Sequence, residues 1–393
     1  LVLDAAYAAI MIAIRRSRRT SIACSRSLTL IISCLIKIYS TLKSTFDIIG
    51  TIYYNNKWKT YITYMKGDLI MTLDEIKVVG IAGAGTMGAS MAQIFAQYGY
   101  TVIIYDAFEA GLERGKHLVE INQASLVEAG DITAEQSAEI KTKLSFTGDI
   151  NGLKDCDIIV ESVLERLDVK QDFWVKAEAV VSPDCILATN TSGLSINKIF
   201  ANCKDKTRAC GMHWFNPPHI VPLIEVINND ETKQEIADTV YQLSLKIGKK
   251  PIYVKKDALG FIGNRIQAAI LREAVYIVEQ GIGDYKDVDG AMKYGLGFRY
   301  ACLGPCEVVD QGGLDVHHHI ATYLWEDLSD AKYPSGEFEA IYQAGNYGVK
   351  TGKGFYDYSG DKADKAIEAR DAMYLAMAKC NPTGVGEAHG YEN

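Results

Sequence analysis

Ile76-Lys-Val-Val-Gly-Ile-Ala82 runs without a break into Gly83-Ala-Gly85-Thr-Met-Gly88, and the reading of this stretch decides the fold. The first half is apolar almost throughout, as a buried strand is. The residues after Gly88 place Met91, Ile94 and Phe95 on one side of a helix running to Tyr98. Strand, glycine turn and helix thus follow one another directly. The three glycines do different things. Gly83 permits the tight turn, Gly85 admits a pyrophosphate close to the backbone, and Gly88 lets the helix pack against the strand. A second strand, Thr101 to Tyr105, ends in Asp106, close to the spacing at which an acidic residue meets a ribose.

These features together read as a Rossmann dinucleotide site. Thr86 and Met87 count with the three glycines as cofactor contacts, because unpaired N–H groups at a helix N-terminus attract phosphate. The charge of Asp106 favours ribose hydroxyls over a 2′-phosphate, so NAD is expected rather than NADP. Further strands are expected at Asp157–Val160, Cys185–Ala188, Ala209–Met212, Leu223–Ile227 and Pro251–Val254. After about Asp257 the pattern becomes helical only, starting with Asn264–Glu279, where Ile266, Ile270, Ala274 and Val278 share a face. The expected fold is α/β, a doubly wound Rossmann sheet over residues 71–256, followed by a smaller all-α domain over 257–358 and a helical tail over 359–393.

Composition limits the alternatives. The chain has 393 residues, 48% of them hydrophobic, and a net charge of −8, which excludes disordered and fibrous classes and argues against a nucleic-acid binder. Nine cysteines without a C-x-x-C pair fit neither a disulfide framework nor a zinc site, so a reducing cytoplasm is expected. The charge is unevenly divided: residues 1–70 hold 10 basic and 3 acidic residues, a net of +7, which leaves −15 for the rest. The apolar run Ser27–Ile36 is too short to span a bilayer, so no membrane association is expected. The first 70 residues are read as a leader outside the folded domains, either a transit peptide or translated upstream sequence with Met71 as the natural start.

The chemistry gathers around Gly211-Met-His213-Trp-Phe-Asn216-Pro-Pro, just past an expected strand end, and Glu225 in the following strand. Oxidising an alcohol requires a base for its proton; a histidine titrates near neutrality, and a carboxylate partner fixes its tautomer. Several stretches resemble the 3-hydroxyacyl-CoA dehydrogenase family, the NAD enzymes of β-oxidation and butyrate routes. They are the glycine fingerprint, Val160-Glu-Ser-Val-Leu-Glu165 with Lys170, Thr189-Asn-Thr-Ser192, the His213 segment, Gly260-Phe-Ile-Gly-Asn264-Arg, and Lys350-Thr-Gly-Lys-Gly-Phe-Tyr-Asp-Tyr. The similarity runs from about Ile76 to Tyr358. The resemblance implies His213 as general base, Glu225 as its orienting partner, and Ser192 and Asn264 as holders of the substrate oxygen. It also implies Glu165, Lys170, Asn216 and Lys350 along the nicotinamide half of the cofactor site, a small-molecule substrate, and a homodimer. Asn264 and Ser192 also stand where helix N-caps would.

The chain departs from the common acyl-CoA form at Trp214, at Pro218-His219, at Gly263 and, above all, in Gly297-Phe-Arg299-Tyr-Ala-Cys-Leu-Gly-Pro305. The arginine and the longer spacing, with Asn264-Arg-Ile-Gln-Ala, resemble the branch with lambda-crystallin, L-gulonate 3-dehydrogenase and carnitine dehydrogenase, which act on free 3-hydroxy acids. Arg299 is then a candidate for gripping a substrate carboxylate, or else for pairing with an acidic neighbour. Arg114, Lys116, Lys141 and Lys143 lie in an expected helical hairpin, Glu109–Leu144, that in acyl-CoA members meets the CoA moiety. The tract His317-His318-His319 lacks partners at ligand spacing, so no metal is expected; Cys302 and Cys306 read as packing residues.

Overall fold

The structure, a computed structural model, describes residues 71–380. The expectations for residues 1–70 and for the end of the tail lie outside the described residues. Eight strands form one sheet: β1 (Val78–Ala82), β2 (Thr101–Tyr105), β3 (Leu144–Thr147), β4 (Ile158–Glu161), β5 (Ile186–Thr189), β6 (Ala209–Trp214), β7 (Leu223–Asn228) and β8 (Lys250–Val254). Their order is β3-β2-β1-β4-β5-β6-β7-β8. Strands β3 to β6 in that order run parallel, and the pair β7 and β8 runs against them.

The chain winds outward from β1 in one direction, through β2 and β3, and then restarts at β4 on the other side. The carboxyl ends of β1 and β4 therefore flank a crevice, the place where open α/β sheets bind ligands. Strands β4, β5 and β6 are buried along their whole length, which is why apolar residues face both sides instead of alternating, with Glu161, Thr189 and His213 as polar exceptions toward their carboxyl ends.

Helices cover both faces of the sheet. On one lie α1 (Thr86–Gln97), α2 (Glu109–Glu128), α3 (Ala134–Thr142) and later α6 (Gln234–Lys246); on the other lie α4 (Leu167–Glu178) and the short α5 (Ile196–Ile199). Met91 and Phe95 of α1 share a core with Val240 and Leu243 of α6, and Phe173 and Trp174 of α4 share the opposite core with Ile196 and Phe200. The hairpin expected to stay helical as far as Leu144 ends earlier. Leu144–Thr147 is strand β3, paired parallel to β2, with Leu144 and Phe146 packed on the core.

The helical part comprises α7 (Gly263–Glu279), α8 (Tyr285–Ala291), a π-helical turn Met292–Leu296, α9 (Gly297–Tyr300), α10 (Pro305–Gly312), α11 (Leu314–Asp327), α12 (Gly336–Gln343) and the tail helix α13 (Lys362–Cys380). From residue 262 to 380 only Ser329 is buried. Cys302 and Cys306 are exposed, which corrects their reading as packing residues within one chain. Among the described residues no helix is long and apolar enough to cross a membrane.

Candidate active site

His213 lies inside β6 and not beyond its end, as the sequence suggested; Trp214 is still paired in the sheet. In the antiparallel ladder of β6 and β7, His213 stands directly opposite Glu225. Both side chains are buried, and the imidazole Nδ1 lies 2.7 Å from Glu225 Oε2. That leaves Nε2 as the ring nitrogen for a substrate. Phe215 and Phe261 flank the imidazole, with ring centroids 4.6 and 5.6 Å away.

The second oxygen of Glu225, Oε1, accepts the N–H groups of Ile262 at 3.0 Å and Gly263 at 2.8 Å. These belong to the first turn of α7, so the carboxylate closes the N-terminus of the first helix of the helical part. Burial pushes this carboxyl up, but the hydrogen bonds from His213, Gly263 and Ile262 outweigh it and hold Glu225 below the ordinary glutamate range. A side chain at Gly263 would press on Phe215, its Cβ only 2.7 Å from Cζ, which accounts for the glycine here.

Asn264 does not cap α7. Its Nδ2 donates to the carbonyl of Ser192 at 2.7 Å, joining two residues 72 positions apart to which the resemblance gave the same role. Ser192 is no cap either, since Ser195 caps α5 by accepting the Lys198 N–H. The Ser192 N–H donates to Glu165 Oε1 at 3.1 Å, and the Thr191 hydroxyl donates to the same oxygen. Lys170 is buried; its Nζ lies 2.6 Å from Glu161 Oε1 and 3.1 Å from Glu165 Oε2. Lys170 therefore stands behind Glu165, with its ammonium taken up by two carboxylates.

The glycine loop fits a dinucleotide. Gly83 has φ +99°, and a Cβ there would collide with the Ser162 carbonyl; a Cβ on Gly88 would strike the Gly83 carbonyl. A Cβ on Gly85 would meet nothing within 4 Å, so the space in front of it is free for a phosphate. Gly85 caps α1 without a side-chain hydrogen bond and the first turn carries no acidic residue, which leaves its N–H groups for an anion; Thr86 and Met87 lie in that turn. Asp106 accepts the Ala84 N–H at 3.0 Å and the Phe108 N–H at 3.0 Å, fixing its carboxylate beside the loop.

Asn216 is exposed on the connection between β6 and β7, and Lys350 is exposed in the turn Val349–Thr351. Among the described residues neither has a hydrogen bond or ion pair to the His213 pair. Arg299 is exposed on α9, directly after the π turn, and makes no ion pair among the described residues, so the acidic-neighbour alternative is not seen. Lys116, Lys141 and Lys143 pair with Glu113, Glu120 and Glu139 of their own hairpin. No group of three or more potential metal ligands occurs among the described residues.

Sequence reasoning missed Glu161 and Lys249. Glu161 ends β4, and a carboxylate closing the apolar run Ile158-Ile-Val-Glu161 was the available signal. Lys249 is buried, donates to the carbonyls of Pro218 at 2.5 Å and Val221 at 3.1 Å, and lies over the Trp214 ring. It steadies the proline-rich connection that carries Asn216, at the cost of a desolvated ammonium whose pKa falls to about 8.

Comparison with known proteins places the chain in a family. The sequence model described as 3-hydroxyacyl-CoA dehydrogenase, NAD binding domain, matches residues 78–258, and its C-terminal domain counterpart matches 260–358. A 5-formyl-3-hydroxy-2-methylpyridine 4-carboxylate 5-dehydrogenase of Mesorhizobium japonicum is 35% identical over 77% of this chain and 97% of its own length. A 3-hydroxybutyryl-CoA dehydrogenase of Clostridioides difficile is 35% identical over 72% of this chain and 99% of its own. Among solved structures, a 5-dehydrogenase acting on the same pyridine carboxylate, described as an NAD+-dependent dismutase, superposes with a TM-score of 0.72 at 33% identity, covering 78% of this chain and 98% of its own. The (S)-3-hydroxybutyryl-CoA dehydrogenase of Ralstonia eutropha gives 0.61 at 32% identity, covering 72% and 100%. With both domain models matched in order and such relatives aligned over nearly their full lengths, the chain belongs to the 3-hydroxyacyl-CoA dehydrogenase family and is an NAD-dependent oxidoreductase.

Proposed function

We propose that the protein oxidises the 3-hydroxyl of an L-3-hydroxyacyl-CoA to the 3-keto group, or runs the reverse reaction. The observation that carries this reading is the buried 2.7 Å contact between His213 and Glu225. His213 takes the hydroxyl proton on Nε2, and Glu225 holds the ring orientation and offsets the charge the ring gains. Ser192 and Asn264 hold the substrate oxygen. NAD, when bound, would supply the acceptor for the hydride that leaves C3. Gly83, Gly85, Thr86, Met87 and Gly88 would hold its phosphates, Asp106 its adenosine ribose, and Glu165, Asn216 and Lys350 its nicotinamide half, with Lys170 orienting Glu165 from behind. The domain limits that go with this reading are 71–256 for cofactor binding and 257–358 for substrate binding and homodimer contact. The described cysteines are all free, which supports a reducing compartment, the cytoplasm.

Replacing His213 with Gln should lower kcat by about 10²–10⁴-fold while leaving NAD affinity within about twofold. Unchanged turnover would refute the general base. A second reading, a free 3-hydroxy acid as substrate, is favoured by Arg299, an exposed guanidinium without a described partner beside a π turn, and by the similarity to an enzyme of a pyridine carboxylate. Reduction of acetoacetyl-CoA and oxidation of gulonate or carnitine, measured side by side, separate the two. On the free-acid reading Arg299→Met should raise KM for the acid about 10-fold or more, the loss of a bidentate charged contact, and leave acetoacetyl-CoA unaffected.

A further inference from the structure

The carboxyl edge of β4 carries a charge arrangement that the reaction itself does not require. Glu161 is the last residue of β4, level with Ala82 of β1 and Thr189 of β5, at the switch point of the sheet. Its side chain is fully buried and saturated: Oε1 accepts from Lys170 Nζ at 2.6 Å and from the Val163 N–H at 2.8 Å, and Oε2 accepts from the Thr189 hydroxyl at 2.7 Å. Lys170, equally buried, reaches forward to Glu165, whose side chain is 47% exposed. The nearby Arg166 is turned to Asp168, 2.5 Å away, and neither Glu161 nor Glu165 has another ion-pair partner among the described residues. Two carboxylates thus share one ammonium. Because Glu161 neutralises Lys170 from the buried side, Glu165 keeps one uncompensated negative charge.

We infer that Glu161 sets a preference for the oxidised over the reduced cofactor, by freeing the Glu165 carboxylate to attract a cationic nicotinamide ring more strongly than its neutral dihydro form. The inference rests on the reading that the nicotinamide half lies along Glu165. The topology supports that placement: Asp106 marks the adenosine side of the glycine loop at β2, so the other half of a dinucleotide extends across the ends of β4, β5 and β6. Glu161 and Lys170 are both out of water, so salt screens the pairing between them little. A unit charge felt at short range through a protein-like dielectric changes affinity by about tenfold.

Calorimetric titration of NAD+ and NADH into the wild type, Glu161→Gln, Lys170→Met, Glu165→Gln and the double variant Glu161→Gln/Lys170→Met tests this without turnover. Glu161→Gln leaves Lys170 to neutralise Glu165, so the ratio of Kd for NAD+ to Kd for NADH should rise at least about fivefold. The double variant restores the lone charge on Glu165 and should return the ratio to within about twofold of the wild type. A role limited to packing would weaken both cofactor forms alike. An unchanged ratio in Glu161→Gln, or no recovery in the double variant, overturns the inference. Should Glu161→Gln fail to fold, the single variants decide: the ratio must rise in Glu165→Gln and fall in Lys170→Met, and a flat response in either overturns it. Wild type that turns over neither acetoacetyl-CoA nor a free 3-hydroxy acid would end the proposed function alone, while a flat ratio in an active enzyme would end only this inference.

Discussion

Glu225 accepts hydrogen bonds from three donors, one in β6 and two at the start of α7: the His213 ring and the N–H groups of Ile262 and Gly263. All three favour the ionised form, which is why its pKa is held down in spite of burial. A carboxyl depressed by folding contributes stability that is present above its unfolded pKa and is lost as pH falls through its folded one. The protein should therefore lose stability below about pH 4.5, the unfolded range of a glutamate, and Glu225→Gln should flatten that part of the profile. Urea unfolding between pH 3 and 7 on both proteins reads this directly. If the two acid profiles run parallel, the carboxylate is not held as the geometry indicates.

At the scale of elements, the turn between β1 and α1 separates fold from function within four residues. Gly88 touches the protein and Gly85 does not. Gly88→Ala forces a methyl into the Gly83 carbonyl, so α1 must shift and both thermal stability and NAD affinity should fall. Gly85→Ala meets open space at an ordinary φ of −71°, so the melting temperature should change little while NAD affinity drops by about tenfold or more. Thermal melts and NADH titration on the two variants check the contrast; an equal loss of stability in both would contradict it. This turn was legible in the sequence because its constraints are local, a matter of where a Cβ can and cannot go. The pairing of His213 with Glu225 was legible too, since two strands that follow one another in the chain, joined by residues 215–222, bring residues twelve apart together. Glu161 was not: its partners sit on β5, on α4 and in the loop after β4, and only the assembled sheet makes them neighbours. Strand β3 escaped because four residues after a helix carry too little periodicity, and its pairing with β2 is what makes it a strand. Arg299 was visible as a residue, but the π turn that presents it was not.

At the scale of the whole molecule, the two halves differ in how they are held. The sheet has a core on each face, whereas residues 262–380 bury only Ser329. About a hundred residues of helix without an interior of their own do not repay the entropy of ordering them. The apolar side chains are present but open: on α7 alone, Ile266 is 49% exposed and Ile270 39%. We propose that a second copy covers this surface and supplies the missing interior, as the proposed homodimer requires. The consequence reaches the proposed catalytic pair, because the first turn of α7 provides two of the three donors that hold Glu225. A helix that frays when its face is uncovered releases that carboxylate, so assembly and activity should be lost together even though the base itself lies in the sheet. Ile266→Asp combined with Ile270→Asp, placed one turn apart on α7, should shift sedimentation from dimer to monomer, reduce helical circular dichroism and lower kcat, while NADH still binds the intact Rossmann half. A monomer that kept full helicity and full turnover would show that the helical part needs no partner.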